Sequence, residues 1–141
     1  MILLDASVAI ALLGAETGGD VVRTALESDE GLLSVVNFAE VLEDAERSGG
    51  GARGRFEELR AAFRIVPMTA GDALDAAQLY TTTRRPSLSL ADRVALATAL
   101  RLGIPVLTAE SAWSNLAGID VRQIRQGCED LLKGRCLSEA E

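Results

Sequence analysis

Short apolar runs alternate with longer amphipathic stretches along this chain. A continuous apolar run predicts a buried strand, and apolar residues that recur every three or four positions predict a helix. The predicted strands span residues 2–4, 31–36, 65–67, 104–108 and 119–121, and the predicted helices span residues 6–13, 20–28, 38–48, 53–64, 70–82, 90–102, 111–116 and 122–132. Because strands and helices alternate, the pattern indicates an α/β fold with a mainly parallel central sheet.

Length and composition agree with this architecture. The chain has 141 residues, and we expect a single domain over residues 1–141 whose tail frays from about residue 134. Apolar residues make up 48% of the chain and aromatic residues only 4%, which is typical of an aliphatic α/β interior. No run is long enough to span a membrane, and Asp5 interrupts an apolar N-terminus that lacks the basic start of a signal peptide. Cys128 and Cys136 lack CxxC spacing, so we expect free thiols in a cytoplasmic protein.

The charged residues narrow the possible functions. A net charge of −7 is opposite in sign to that of a protein that coats DNA. The sequence contains no histidine, which excludes Ser-His-Asp and Cys-His catalysis and disfavours a zinc site. One stretch is nevertheless basic and contains Arg47, Arg53, Arg55, Arg60 and Arg64. These arginines form either a solvated helix face or a rim that follows the backbone of a nucleic acid.

Four acidic residues stand where helices are about to begin or have just begun: Asp5, Glu40, Asp92 and Glu110. Helices that follow parallel strands start at the carboxyl edge of the sheet, where ligands bind. Asp5, Glu40 and Glu110 each follow a strand-like segment, so we expect them at this edge, whereas Asp92 follows a loop that the pattern does not place. Clustered carboxylates repel one another unless a cation offsets their charge, and Mg²⁺ and Mn²⁺ prefer oxygen ligands. The pattern therefore predicts a site for Mg²⁺ or Mn²⁺.

The same four acids also have a purely structural interpretation. The capping candidates are Asp5 alone, Asn37 with Glu40, and Ser89 with Asp92, and Glu110 is placed to favour the positive end of a helix dipole. Taken singly, each acid is explained at least equally well in this way. Only their shared setting favours a cation site.

Four motifs, in this order, resemble a known family. They are LLDAS at 3–7, NFAEVL at 37–42, SLADRVALATAL at 89–100 and VLTAESAW at 106–113. The chain resembles the PIN-domain ribonucleases, and specifically the VapC toxins of toxin–antitoxin systems. This resemblance implies a parallel sheet of about five strands flanked by helices, a carboxylate site for Mg²⁺ or Mn²⁺, and endonucleolytic cleavage of RNA. It also implies a homodimer that a VapB-type antitoxin neutralises.

The resemblance also assigns roles to individual residues. Asp5 and Asp92 resemble the principal metal ligands, and Glu40 resembles the third acid, which binds the metal directly or through water. Glu110 stands where the family usually has aspartate, so its additional methylene favours a role through water. The residues that resemble supporting polar groups, or else act as plain helix caps, are Ser7, Asn37, Thr108 and Ser111.

Three further side chains receive structural assignments. We expect Trp113 and Tyr80 to pack within the fold. Arg93, next to Asp92, is either a surface charge or a phosphate contact, and we favour the surface charge.

The functional hypothesis is metal-assisted hydrolysis of RNA phosphodiester bonds, with Asp5, Glu40, Asp92 and Glu110 as the catalytic set. The alternative is a module of the same fold that binds RNA or its antitoxin with little or no nuclease activity, in which Glu110 marks a weakened site. Metal affinity measured together with cleavage distinguishes the two hypotheses.

Overall fold

The computed structural model describes residues 1–14, 18–83, 88–110, 113, 116 and 118–124. Most of the predicted helices at 111–116 and 122–132 lies outside the described residues, as does the predicted tail from residue 134. Within the described residues, no helix combines the length and hydrophobicity that crossing a membrane requires.

The described elements follow the predicted alternation of strands and helices. In chain order they are β1 Ile2–Leu4, α1 Ala6–Leu13, α2 Gly19–Ser28, β2 Gly31–Ser34, α3 Val35–Arg47, α4 Ala52–Ala62, β3 Arg64–Val66, α5 Ala70–Thr83, α6 Leu90–Leu102, β4 Val106–Thr108 and β5 Val121–Gln123. Helix α6 has the predicted limits, and it ends at Gly103, whose φ of 64° suits glycine better than any other residue.

The five strands form one parallel sheet in the order β3-β2-β1-β4-β5. This confirms the predicted α/β fold. Strand β1 lies at the centre, with Leu4 opposite both Leu33 of β2 and Leu107 of β4. Because the three strands run in the same direction and in register, the residues at their carboxyl ends emerge side by side. These residues are Asp5, Ser34 and Thr108.

The sheet separates two apolar layers. Ile2 and Leu4 of β1 face the layer formed with helices α1 to α4, whereas Leu3 faces the layer that contains Leu96 of α6 and Trp113. This alternation follows from the two-residue period of a strand. Trp113 is fully buried, which confirms that it packs within the fold.

Several predicted boundaries are wrong, and the strand predicted from residue 104 begins only at Val106. The strand predicted to reach residue 36 stops at Ser34, because the Ser34 hydroxyl caps α3 by accepting the Asn37 backbone N–H at 3.1 Å. The cap outweighs the strand preference of the two valines that follow. Asn37 is therefore inside the helix, and the proposed Asn37–Glu40 capping box is wrong. The last strand begins at Val121 rather than at residue 119, and residues 122 and 123 belong to this strand instead of to the predicted helix.

The expectation that Tyr80 packs within the fold is also wrong. The Tyr80 side chain on α5 is 65% exposed, and the Arg93 guanidinium carbon lies 5.0 Å from the centre of its ring. Arg93 is itself half-buried, and its Nη1 donates to the Leu88 carbonyl oxygen at 3.0 Å. Arg93 was expected to be a surface charge, but its guanidinium is held against the start of its own helix.

Candidate metal and active site

Asp5 is the most enclosed of the four candidate acids. It directly follows β1 and caps α1, where its Oδ1 accepts the Val8 backbone N–H at 3.1 Å. The Ser7 hydroxyl also donates to Oδ1 at 2.6 Å, and the Thr108 hydroxyl donates to Oδ2 at 2.7 Å. Only 2% of the residue is exposed. The capping interpretation is therefore correct for Asp5, and it accounts for one of its two carboxylate oxygens.

Backbone amides fix the direction of the two hydroxyl hydrogen bonds to Asp5. The Glu110 N–H donates to Thr108 Oγ1 at 3.0 Å, and the Ala109 N–H donates to Ser7 Oγ at 3.1 Å. Each hydroxyl therefore accepts from the chain that follows β4 and directs its own hydrogen to the Asp5 carboxylate. The carboxyl ends of β1 and β4 are linked through this acid.

Glu40 is positioned by a second chain of hydrogen bonds, at the end of β2. The buried Ser34 hydroxyl donates to Asn37 Oδ1 at 2.8 Å, which fixes the orientation of the Asn37 amide. Asn37 Nδ2 then donates to Glu40 Oε2 at 2.8 Å. Sequence reasoning missed Ser34 because it extended the strand past it. The signal was present, since serine three residues before a helical asparagine has the spacing of an N-cap.

Asp92 lies at the start of α6 and forms a capping box with Ser89. Its backbone N–H donates to Ser89 Oγ at 3.1 Å, and its Oδ2 accepts the Ser89 N–H at 2.8 Å. Here too the capping interpretation is correct. The charge of Asp92 nevertheless acts on both Asp5 and Glu40, whose pKa values it raises. Asp92 therefore lies within electrostatic range of Asp5 and Glu40, which the sequence pattern left open.

The raised pKa values of Asp5 and Glu40 show that these acids ionise less readily than usual at the carboxyl edge of the sheet. Burial raises the pKa of Asp5 from 3.8 to about 6, and the Asp92 charge adds to the increase, although hydrogen bonds from Ser7, Thr108 and Val8 oppose it. Burial also raises the pKa of Glu40, with further contributions from the charges of Asp92 and Glu43 against the Asn37 hydrogen bond. Both acids therefore lie in an environment that favours a nearby cation or a proton.

Glu110 contributes to the network through its backbone. Its side chain is exposed, its N–H donates to Thr108, and its carbonyl oxygen accepts from Gln123 Nε2 at 3.2 Å. Ser111, the remaining supporting candidate, lies outside the described residues.

The oxygen atoms at this edge have the chemistry of a divalent cation site. Among the described residues, the Asp92 side chain forms a hydrogen bond only through Oδ2, and the Glu40 side chain only through Oε2. The second oxygen of each carboxylate is therefore available to an ion. Hard oxygen donors suit Mg²⁺ and Mn²⁺. Among the described residues, however, no three acidic side chains are arranged closely enough to hold an ion. The donor set fits, and any direct three-acid coordination requires a rearrangement of side chains.

The chain is similar to known proteins in sequence and in fold. The family model of the PIN domain matches residues 2–119. A chain of FitAcB from Neisseria gonorrhoeae is 25% identical, with a TM-score of 0.68 over 87% of this chain and 97% of that chain. DNA-bound VapBC from Salmonella typhimurium is 16% identical, with a TM-score of 0.71 over 86% of this chain and 96% of that chain.

A third structure, the sarcin–ricin loop cleaving toxin VapC20 from Mycobacterium tuberculosis, is 17% identical, with a TM-score of 0.63 over 75% of this chain and 87% of that chain. None of the curated proteins matches the sequence. At identities of 16% and 17%, the VapBC and VapC20 structures show that this chain shares their fold.

Proposed function

The chain belongs to the PIN domain family, and from this premise we propose that it is a metal-dependent endoribonuclease. We further propose that it acts in the cytoplasm as the toxin of a type II toxin–antitoxin system. The likeness to the sarcin–ricin loop cleaving toxin VapC20 and to a toxin–antitoxin complex from Klebsiella pneumoniae supports this proposal.

The observation that carries the proposal is the buried Asp5 beside other acids. Its carboxylate has no described salt bridge, its pKa is raised to about 6, and the charge of Asp92 adds to the cost of ionisation. A buried charge without a partner destabilises a fold. Residues kept in such an environment at the ligand-binding edge of a parallel sheet are candidates for a functional site.

In this proposal, Asp5, Asp92 and Glu40 hold Mg²⁺ or Mn²⁺, with Glu110 acting through water. A bound ion would supply positive charge for the phosphate and would lower the pKa of a nearby water molecule. Ser7 and Thr108 hold Asp5 in place, and Asn37 orients Glu40.

No histidine is available to move protons in this chain. The pKa of Glu40 is raised, and no described hydrogen bond involves its Oε1. We therefore propose that Glu40 holds the ion through a water molecule and that its Oε1 takes the proton from the attacking water.

We propose a VapB-type antitoxin as the cellular partner. Several similar structures are VapBC complexes, including the one from Salmonella typhimurium. An acidic site suits an arginine side chain from such a partner, because guanidinium and carboxylate groups pair through two parallel hydrogen bonds. The resemblance further supports a homodimer, which sedimentation of the antitoxin-free protein tests directly.

The test of activity is cleavage of a panel of fluorophore-quenched single-stranded RNAs by purified, antitoxin-free protein, in EDTA, Mg²⁺ and Mn²⁺. We expect metal-dependent cleavage that the Asp5→Asn variant loses by at least about a hundredfold. The matched control is Asp120→Asn, because Asp120 is exposed and precedes β5 at the opposite edge of the sheet. Equal loss in both variants, or full activity in Asp5→Asn, contradicts the proposal.

A second candidate function is binding of RNA or antitoxin without appreciable cleavage. The absence of a close group of three acids among the described residues, together with the exposed Glu110 side chain, favours this candidate. Calorimetric titration with Mn²⁺ alongside the cleavage assay separates the two functions. Metal binding with cleavage supports the nuclease, and RNA binding without metal-dependent turnover supports the binding module.

A further inference from the structure

Tyr80 is a large aromatic side chain that the fold leaves exposed beside a cation. It lies in α5 and is 65% exposed, although aromatic rings usually contribute to stability through burial. The Arg93 guanidinium carbon lies 5.0 Å from the centre of the Tyr80 ring, which is a cation–π geometry. We propose that this pair, named here the Tyr80–Arg93 platform, stacks against one base of a single-stranded RNA next to the carboxylate site. This inference rests on the proposed function and names how its substrate is held.

The platform lies next to the carboxylate Asp92 because Arg93 is the adjacent residue in the chain. Arg93 directly follows Asp92 in α6, and its Nη1 donates to the Leu88 carbonyl oxygen at 3.0 Å. The guanidinium is therefore held across the start of the helix that presents Asp92. Asp92 and the Tyr80–Arg93 platform therefore lie at the same end of α6, so a ligand held at Asp92 is close to the platform.

Arg93 also retains its positive charge for a ligand. Among the described residues it forms no salt bridge. The guanidinium places a positive charge over one face of the ring, in a protein whose net charge is −7. Aromatic rings with arginine nearby bind the bases of single-stranded nucleic acids with little dependence on sequence.

A second arginine–aromatic pair shows what distinguishes the platform. The Arg60 guanidinium carbon lies 5.4 Å from the centre of the Phe56 ring, in a similar arrangement. That ring also packs against Phe38, with 5.4 Å between ring centres, and Phe56 is only 36% exposed. Phe56 therefore has a role in packing. The Tyr80 ring contacts no other ring among the described residues, and the residue is 65% exposed although the Arg93 guanidinium lies over one face of its ring.

The test measures the affinity of the full chain for short single-stranded RNAs by fluorescence anisotropy, in EDTA and low salt so that no RNA is cleaved. We expect Tyr80→Ala to weaken binding by about 5- to 100-fold, which is the range for loss of one stacked base. Tyr80→Phe keeps the ring and should bind within about twofold of the wild type. Leu74→Ala is the matched control, because Leu74 lies on the same helix and is 60% exposed.

A second measurement separates stacking from a structural role. An abasic nucleotide is placed at each position of the RNA in turn. For the wild type, we expect one position whose base removal weakens binding about as much as Tyr80→Ala does. In the Tyr80→Ala variant, removal of the same base should have little further effect, because the two changes remove one interaction.

The outcomes distinguish this inference from the proposed nuclease function. Wild-type affinity in Tyr80→Ala, losses that simply add, or no RNA binding by the wild type overturns the platform. If the wild type fails to cleave RNA in metal but loses affinity in Tyr80→Ala as expected, the nuclease proposal fails and the platform stands. If cleavage occurs and Tyr80→Ala binds normally, the nuclease proposal stands alone.

Discussion

Two buried aspartates in this protein have opposite electrostatic surroundings. Asp72, at the start of α5, is 0% exposed and binds Arg101 through both carboxylate oxygens, at 2.8 and 3.0 Å. Burial alone would raise the pKa of Asp72, but hydrogen bonds from Arg101 and from the Thr69 N–H bring it below its usual value. Asp5 is 2% exposed and receives only hydroxyl and amide hydrogen bonds, and its pKa rises to about 6.

Because of this difference, ionised Asp72 stabilises the fold, whereas ionised Asp5 destabilises it. Asp72 is compensated within the chain, because a cation 29 residues away in sequence completes the pair. Asp5 receives no such cation from the described residues, and the charge of another acid, Asp92, further raises its pKa. Compensation from outside the chain, by a metal ion or by an arginine of a partner, is what the proposed function supplies.

The largest expected effect tests the compensated acid. Arg101→Met leaves Asp72 buried without its cation and should lower the free energy of unfolding by about 3 kcal/mol at pH 7.5. The pair stabilises the fold above pH 3.8, the ordinary pKa of Asp72, and this stabilisation is lost as the pH falls through the lowered folded pKa. The deficit of the variant should therefore shrink in acid. Urea unfolding between pH 3 and 8 measures it.

The control for this prediction is the double variant Asp72→Asn/Arg101→Met. It removes both charges and should recover a substantial part of the lost stability. A double variant that is no more stable than Arg101→Met at pH 7.5 shows that the pairing energy was assigned incorrectly.

Removal of the charge at Asp5 should instead raise the free energy of unfolding. The increase in the pKa of Asp5 from 3.8 to about 6 corresponds to roughly 3 kcal/mol of destabilisation at pH 7.5. Asp5→Asn removes this cost and weakens the Thr108 hydrogen bond, which is worth roughly 1 kcal/mol, so we expect a net gain of about 2 kcal/mol. Because the folded pKa is raised, wild-type stability should fall as the pH rises from about 4 to 6. The variant should lack this slope, and a loss of stability in the variant at pH 7.5 would falsify this account of Asp5.

Binding of a divalent ion should stabilise the wild type but not the Asp5→Asn variant. Mn²⁺ at ten times its dissociation constant should stabilise the wild type by about 1.4 kcal/mol and leave Asp5→Asn unchanged. Protons compete for the Asp5 carboxylate, so Mn²⁺ affinity should fall by up to about tenfold per pH unit below about pH 6. Thermal unfolding with and without Mn²⁺ measures both effects. Asp120→Asn should respond to Mn²⁺ as the wild type does.

The smallest expected effect concerns the hydroxyl that supports Asp5. Thr108→Val removes the hydrogen bond to Asp5 Oδ2 and leaves the Glu110 N–H without its acceptor. We expect a loss of about 1 kcal/mol and a pKa of Asp5 above its wild-type value, because the hydroxyl favours the ionised form. Thr98→Val is the matched control, since the buried Thr98 hydroxyl donates to the Val94 carbonyl oxygen at 2.8 Å within its own helix. An NMR titration in which both variants move the pKa of Asp5 equally contradicts the assignment.

Local sequence patterns were sufficient for most of the fold. Helix α6 has its predicted limits at Leu90–Leu102, and β1 and α1 match as well, because apolar periodicity and Gly103 mark these elements locally. The boundary between β2 and α3 was misplaced because two valines favour a strand while Ser34 favours a helix start. Such competition between neighbouring signals is resolved by the hydrogen bonds that form in the folded chain.

For the candidate site, the sequence by itself determined which acids stand at element ends and that Asp5 and Glu40 follow strands. Only the tertiary structure decided that Asp92 joins them, that Asp72 receives Arg101, and that Tyr80 remains exposed. The physical reason is that periodicity fixes the direction of a side chain relative to its own helix or strand. Its electrostatic neighbour depends on how distant helices pack on the sheet, and that arrangement is a property of the whole fold.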